Sequence, residues 1–386
     1  MRTHPLGATP PPRSVCIVQA VMKRYRTPLF ELMEQALAAD NISLQVVYGP
    51  PWPQEAIRGD NVELAPPLGR KVANWWLGPI LAQPMWKPWS SADLVIVEHA
   101  NKYVLNYLLM ALRALGLKRF AYWGHGRDRQ SSPDSRSARL RRWTLPRTDW
   151  WFAYTEGARR DVEAAGFAAD RITVVGNAID TRQIRDQVAA VTQAQRDAAR
   201  ASLGMDAAAR VLVCCGSLHP NKHVDLLVQA SDVIHAADPS VHLVIIGGGP
   251  CLPQVRELAA SRPWVHCVGP KFGQELAVLL SLAELWLNPG LVGLGVLDAF
   301  CAGLPMITRD LPVHSPEVEY IEHEINGLIL PPDMNAYART VVALLGDADR
   351  LRRMQDAARA ASARHSIEAM ATNFANGIRA CLSSPS

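Results

Sequence analysis

Residues 210–250 read RVLVCCGSLHPNKHVDLLVQASDVIHAADPSVHLVIIGGGP. RVLVCCG is an apolar run that ends in Gly216. VDLLVQASDVIHAA carries its apolar residues at helical spacing, and HLVIIGGGP is a second apolar run closed by glycines. Strand, helix and strand in this order make a parallel βαβ unit. Its strands are apolar throughout because both sheet faces are covered.

The pattern continues in both directions. Downstream, VHCVG, ELWLNPG, MITRD and NGLILPP are further short strands, with a helix at LAVLLSLA, and the chain from about Ala336 is helical. Upstream, SVCIVQAV, ISLQVVYG, ADLVIVEHA, KRFAYWGHG, DWWFAYTE and RITVVGNAID alternate with helical stretches, including Pro28 to Asp40 and VLNYLLMALRALG. The expected fold is α/β: two doubly wound, Rossmann-like domains facing across a cleft. Residues 1–12 are expected to be a disordered tail, 13–182 the first domain and 183–365 the second. A helix at 366–386 is expected to pack back on the first domain. Residues 183–204 read as one helix joining the halves. Ligands of such sheets sit at the carboxyl ends of strands, so the loops after strands are where function is sought.

Composition narrows the class. The chain has 386 residues, 49% hydrophobic and 20% charged, which is ordinary for two globular domains. A net charge of +4 gives no basis for nucleic-acid binding. No run of 18 apolar residues suggests a membrane span. MRTHPLGATPPP lacks the apolar core of a signal peptide. Seven cysteines without CxxC spacing read as buried free thiols of a reducing cytoplasm.

Several loops carry chemistry. Gly216 to Lys222 follows a strand; a glycine turn with a lysine six residues on suits a diphosphate, and a solvated lysine before a helix is the plainer alternative. His219 and His223 have the spacing of a zinc pair, but Pro220 lies between them and no glutamate accompanies them. Gly247-Gly248-Gly249-Pro250 does not complete a dinucleotide fingerprint and reads as a tight turn near a ligand. His125, flanked by glycines at a strand end, is placed as ligand-facing, and His99 holds a similar position with less support. Thr155 reads as a helix cap, and Glu317 after Pro316 as a helix start. NPGLVGLGVLDAFCAG (288–303) runs from a small-residue loop into a helix with an acid at Asp298. Unpaired amides there suit an anion, and the acid suits a sugar hydroxyl. Trp75, Trp76, Trp86 and Trp89, with the basic run RSARLRRWTLPR (136–147), read either as a membrane-surface patch or as a flap beside a solvated helix face.

Taken in order, the strand followed by Gly216 and Lys222, IIGGGP, VHCVGP, NPGLVGLGVLDAFCAGLPMIT and PEVEYIEHEINGLILPP resemble the retaining glycosyltransferases of family 4, which have the GT-B fold. ADRITVVGNAID is similar to that family's interdomain strand and turn. The resemblance is strong over roughly 150–335 and weaker over 13–130. It implies transfer of a hexose from a nucleoside diphosphate sugar to a glycan or lipid-linked acceptor in cell-surface polysaccharide or glycoconjugate synthesis. The second domain would hold the donor. Lys222 would stabilise the leaving diphosphate, and Asp298 would hold the ribose. His125 would reach the donor sugar across the cleft. Gly290, Gly293, Leu294, Gly295 and Val296 would contact phosphate and sugar, and Gly216, Ser217, Gly249, Pro270 and Lys271 would complete the donor pocket.

This chain departs from the pattern at two points. The first of two acids eight residues apart falls on Gly290, and an arginine near the first glycine falls on Ser217. It reads as a variant subgroup with PG-x-VGL in place of E-G-F-G. Arg309 or Lys271 is the candidate to replace the missing positive charge. No Asp-x-Asp stands at a strand end, since Asp347-Ala348-Asp349 lies in the helical tail, so no metal or other cofactor is expected. The expected location is cytoplasmic, at or near the inner face of the membrane. Two other readings stay open: a sugar-nucleotide epimerase or hydrolase of the same architecture, and a non-catalytic partner that binds nucleotide sugar or glycan.

Overall fold

The computed structural model describes residues 12–52, 61–84, 87–126 and 135–385. Residues 1–11 of the expected tail and Trp86 lie outside them. The chain divides into two compact units, one of residues 1–180 and 367–386, the other of Thr181–Ser366.

Among the described residues of the first unit nine strands form: β1 Arg13–Val21, β2 Ile42–Gly49, β3 Gly69–Lys71, β4 Trp75–Leu77, β5 Ile80–Ala82, β6 Leu94–Glu98, β7 Phe120–Gly124, β8 Trp150–Ala153 and β9 Ile172–Val174. Seven of them make a parallel sheet in the order β3-β2-β1-β6-β7-β8-β9. β6 and β7 are buried along almost their whole length because helices cover both faces. On one face Val18, Val95, Val97, Tyr122 and Trp151 pack with Leu109 and Val162. The tryptophan-rich stretch, read as a flap, contains an antiparallel hairpin of β4 and β5. Its two-residue turn is Gly78-Pro79, with Gly78 at φ +58°, so the Gly-Pro dipeptide between apolar triplets was the signal for it.

The helix Ile367–Ser383 packs on the other face of this sheet and on the helix Thr27–Ala38. Phe374 stacks on Phe152 at 4.8 Å and meets Trp123 edge-on at 4.9 Å. Its last carbonyls are taken by two arginines: Arg13 donates to Leu382 O at 2.7 Å and Arg119 to Cys381 O at 2.6 Å. Gly377 is what lets the helix approach, since a Cβ there would lie 2.5 Å from Thr173 Oγ1 and 2.7 Å from the Phe152 ring. Gly377→Ala is therefore expected to destabilise the protein by about 1–3 kcal/mol through overpacking. A thermal melt checks this; an unchanged melting temperature contradicts the packing described.

The second unit holds β10 Arg210–Cys215, β11 Val241–Ile246, β12 Val265–Gly269, β13 Ala283–Leu287, β14 Met306–Arg309 and β15 Gly327–Leu330. All pair in parallel, in the order β12-β11-β10-β13-β14-β15. The strand order reverses between β10 and β13, which pair directly through Leu212 with Leu285 and Val213 with Trp286. That reversal opens a crevice at the carboxyl ends of these two strands. The helices Val224–Ala237 and Met334–Leu345 bury Leu227, Val228, Tyr337 and Val341 against one sheet face. The expected single helix over 183–204 is two, Arg182–Ala189 and Gln193–Ser202. Thr192 starts the second as half of a capping box. Its hydroxyl accepts from Gln195 N while its own N–H donates to Gln195 Oε1, and that geometry is incompatible with helix passing through.

Candidate functional site

The crevice of the second unit is built by three loops fastened to one another through the backbone. The loop after β10 and the loop after β11 are zipped together: Gly216 N donates to Ile246 O at 2.9 Å, Leu218 N to Gly248 O at 2.8 Å and Cys251 N to Leu218 O at 3.0 Å. Such contact leaves no room for side chains. A Cβ at Gly247 would stand 1.9 Å from Gly216 O, and one at Gly249 would stand 2.6 Å from Leu218 O; both residues have φ near +146°. The glycine triplet is thus a seam between two loops, which accounts for it without a dinucleotide. Pro270, after β12, packs against Gly248.

The loop after β13 closes the other side. Leu291 N donates to Asn221 O at 2.8 Å, and Leu291 O accepts from the Lys222 ammonium and from Asn288 Nδ2. Gly290 lies directly on the turn that carries Lys222: a Cβ there would be 2.4 Å from Asn221 O and 2.5 Å from Lys222 Cα. Both obstacles are backbone. The missing acid at 290 therefore has a steric reason, since this loop packing admits no side chain at that position.

Two buried residues hold this loop: His314, which sequence reading left out of the site, and Arg309. His314 accepts from Val292 N at 3.0 Å through Nδ1, so Nε2 carries the proton and donates to Arg309 O at 2.7 Å. Arg309, a candidate for the lost charge, is buried, and its guanidinium donates to Pro289 O at 2.7 Å and Pro332 O at 2.9 Å. It is a clamp on the loop. The HSPE stretch marked a turn, but nothing in its spacing showed that His314 reaches back over 22 residues to Val292.

The helix after the loop spans Gly295–Cys301. The Val296 amide, expected to face phosphate, closes a turn onto Gly293 O at 3.2 Å, and Leu297 N does the same onto Leu294 O at 2.9 Å. This corrects the expectation for Val296: the tight turn at the helix start takes up its donor. The amides of Gly293 and Leu294 have no protein acceptor among the described residues.

Lys222 stands in the 3₁₀ turn Pro220–Lys222 after β10, and Asp298 in the first turn of the helix after β13, the strand that pairs with β10. Lys222 is half-buried, and desolvation lowers its pKa. Asp298 is partly covered as a residue, yet its carboxyl group is deep enough that desolvation raises its pKa to about 7. No hydrogen bond or ion pair to its carboxylate forms among the described residues. Gly216 and Ser217 are exposed in the same crevice.

Other candidates are placed elsewhere. Lys271, two residues before the helix Gly273–Leu282, pairs at 2.8 Å with Glu275 in that helix's first turn. It lines a groove of about 510 Å³ between the helices Gln193–Ser202 and Gly273–Leu282. The structure gives it a partner in place of a free charge in the crevice. His125 belongs to the first unit. It is exposed after β7, with its ring 4.5 Å from that of Tyr154. His99 is a core residue: it is buried, accepts or donates at Nε2 with Thr144 Oγ1 at 2.9 Å, and packs against Tyr122 and Trp151. Burial pushes its pKa down to about 3. Thr155 caps its helix by accepting from Ala158 N. Glu317 is buried within the 3₁₀ turn Pro316–Tyr320. Among the described residues no three His, Cys, Asp or Glu side chains gather into a metal-sized group, and no helix is long and apolar enough to cross a membrane.

Residues 31–183 match the family model described as Glycosyltransferase Family 4, and residues 209–347 the model described as Glycosyl transferases group 1. Over 213 residues the chain is 32% identical to a D-inositol 3-phosphate glycosyltransferase of Nocardia farcinica, covering 52% of this chain and 45% of that protein. Over 153 residues it is 31% identical to a GDP-mannose-dependent alpha-(1-6)-phosphatidylinositol monomannoside mannosyltransferase of Mycobacterium tuberculosis, covering 36% of this chain and 39% of that protein. The chain thus spans less than half the length of these curated relatives. Among solved structures, Anabaena HepE in complex with UDP superposes with a TM-score of 0.67 at 15% identity, over 95% of this chain and 99% of that one. A glycosyltransferase of Rickettsia africae gives 0.69 at 13%, over 97% and 100%. At these identities the likeness is one of fold, the GT-B arrangement of two Rossmann-like units.

Proposed function

This chain belongs to the group 1 glycosyltransferases of family 4, and from that membership we propose that it moves a hexose from a nucleoside diphosphate sugar, with retention of anomeric configuration, to a glycan or lipid-linked acceptor. The observation that carries this reading is the crevice at the reversal of strand order. There Lys222, held to Leu291 O, follows β10, while Asp298 and the two amides without acceptors follow the neighbouring strand β13. A cation and free N–H donors suit a diphosphate, and a lone carboxylate suits the two hydroxyls of a ribose. As the bond to the sugar breaks, negative charge grows on the diphosphate, and a preplaced cation lowers that barrier. We assign the hydrogen bond to the sugar to His125, and the neutralisation of the leaving group to Lys222 and the amides of Gly293 and Leu294, without a metal ion. Activity that persists in EDTA is the expected result; activity abolished by EDTA and restored by a divalent cation contradicts this assignment.

The relatives named for inositol and phosphatidylinositol substrates support a polyol or lipid-linked acceptor. We propose that the protein meets it at the inner face of the membrane. Epimerase or hydrolase activity would consume donor with no acceptor present, and a non-catalytic partner would bind nucleotide without turnover.

Asp298 gives a pH test. Its folded pKa, raised to about 7, lies above the unfolded value, so burial of the protonated acid favours folding at low pH, and this contribution is lost as pH rises through 7. Donor binding runs the opposite way, because an ionised carboxylate is the stronger acceptor. Affinity for the nucleoside diphosphate is expected to rise about fivefold between roughly pH 6 and 8, the gain of a charged over a neutral hydrogen bond. Asp298→Asn should flatten that profile. A profile identical in the wild type and Asp298→Asn would remove Asp298 from the donor site.

A further inference from the structure

The first unit carries a surface that the donor chemistry does not use. At its centre is the β4–β5 hairpin, one face of which presents Trp75 and Leu77 at 63% and 79% exposure, with Ile80 also exposed. The hairpin is held down on its other side: Leu81 is buried, bridges to Tyr103, and its N–H donates to Lys102 O at 2.8 Å. One residue before Lys102, the Asn101 amide donates to Ser137 O at 2.8 Å and Ser137 Oγ at 3.1 Å. The hairpin and the helix Arg136–Thr144 are therefore neighbours across the 101–102 loop.

That helix presents Leu140 and Trp143, the latter 50% exposed, and the Arg147 guanidinium stacks over the Trp143 ring at 4.1 Å. Between 136 and 147 there are five arginines and no acidic residue. Arg136, Arg139 and Arg142 are exposed and have no ion-pair partner among the described residues. Exposed tryptophans and leucines on two adjoining elements are costly to leave in water, and an uncompensated row of guanidinium groups beside them is matched by a negatively charged surface. Indole rings with arginines alongside are the side chains that settle at the headgroup level of a bilayer, where apolar bodies enter the acyl boundary and cations meet phosphate.

We propose that the β4–β5 hairpin and the helix Arg136–Thr144 form the face by which this protein docks on an anionic lipid bilayer. It rests on the acceptor reading above only for its purpose. The vesicle experiment needs no nucleotide, so its failure leaves the donor site untouched, and loss of donor binding leaves this face untouched.

The test is sedimentation of the full chain with vesicles of phosphatidylcholine alone and of phosphatidylcholine mixed with phosphatidylglycerol. Binding to the mixed vesicles only, and release when salt is raised to about 0.5 M, is expected. Reversing two charges in Arg139→Glu/Arg142→Glu should lower the partition coefficient at least tenfold, at about 1 kcal/mol per basic residue removed from the surface. Trp75→Ser/Leu77→Ser should lower it by a similar factor. All four positions are exposed, so an unchanged melting temperature is expected and certifies the fold of each variant. Failure to sediment with either vesicle overturns the proposal, as does equal sedimentation of the variants. A protein that ignores both vesicles yet binds an acidic polysaccharide overturns it in favour of a glycan-binding face.

Discussion

Gly290→Glu, which supplies the carboxylate that the family pattern has at this position, is expected to abolish detectable binding of nucleoside diphosphates. The intuition from the pattern runs the other way, since it treats Gly290 as a lost catalytic group. The packing decides between them. A Cβ at 290 would lie 2.4 Å from Asn221 O and 2.5 Å from Lys222 Cα, well inside contact distance, and both are main chain that no rotamer can move aside. The loop after β13 would have to lift from the Lys222 turn. That breaks the Leu291 N–H bond to Asn221 O and the Lys222 bond to Leu291 O together. Overpacking of this kind costs about 1–3 kcal/mol of stability, and the geometry of the anion site goes with it. Gly290→Ala isolates the steric part, because it adds the Cβ without the charge, and should show most of the loss. If Gly290→Glu binds and turns over donor at least as well as the wild type, the loops do not meet as described.

Lys222→Ala is expected to cut turnover on the order of a hundredfold, the usual effect of removing one preplaced charge from a developing anion. Lys222 has two parts to play, and they separate experimentally. Its bond to Leu291 O is a loop contact whose loss should appear in the melting temperature. Its charge, placed where desolvation already disfavours the ammonium, has a use only when an anion arrives. A variant that keeps the wild-type melting temperature but loses turnover assigns the charge to the reaction. Lys222→Arg should retain part of the rate. Unchanged turnover in Lys222→Ala removes the residue from the mechanism.

Much of this was legible in the sequence for a physical reason. Strands buried on both faces read as unbroken apolar runs, so β6, β10 and β11 announced themselves, and with them the two doubly wound units. The loops that hold Lys222 and Gly249 followed from their place after β10 and β11, and the loop that leads into the helix of Asp298 from its place after β13. What stayed hidden depends on long-range backbone contact. The steric demand at Gly290 comes from a turn 68 positions earlier, and the clamp of Arg309 and His314 on residues 289–292 leaves no local spacing. Lys271 and His99 show the converse. Each has the right residue type at a strand end, but one pairs with the first turn of the helix that follows it and the other packs into aromatic core. The break at Thr192 was visible as Thr-Gln-Ala-Gln, a capping box inside an otherwise helical pattern.

The proposed function requires that the crevice between β10 and β13 hold a nucleoside diphosphate. Calorimetric titration of the full chain with UDP, GDP, ADP and TDP tests it most directly. Saturable binding of at least one of these, with its heat abolished in Gly290→Glu and its affinity lowered in Asp298→Ala, is the predicted result. No binding of any of the four, or binding indifferent to both substitutions, would contradict it.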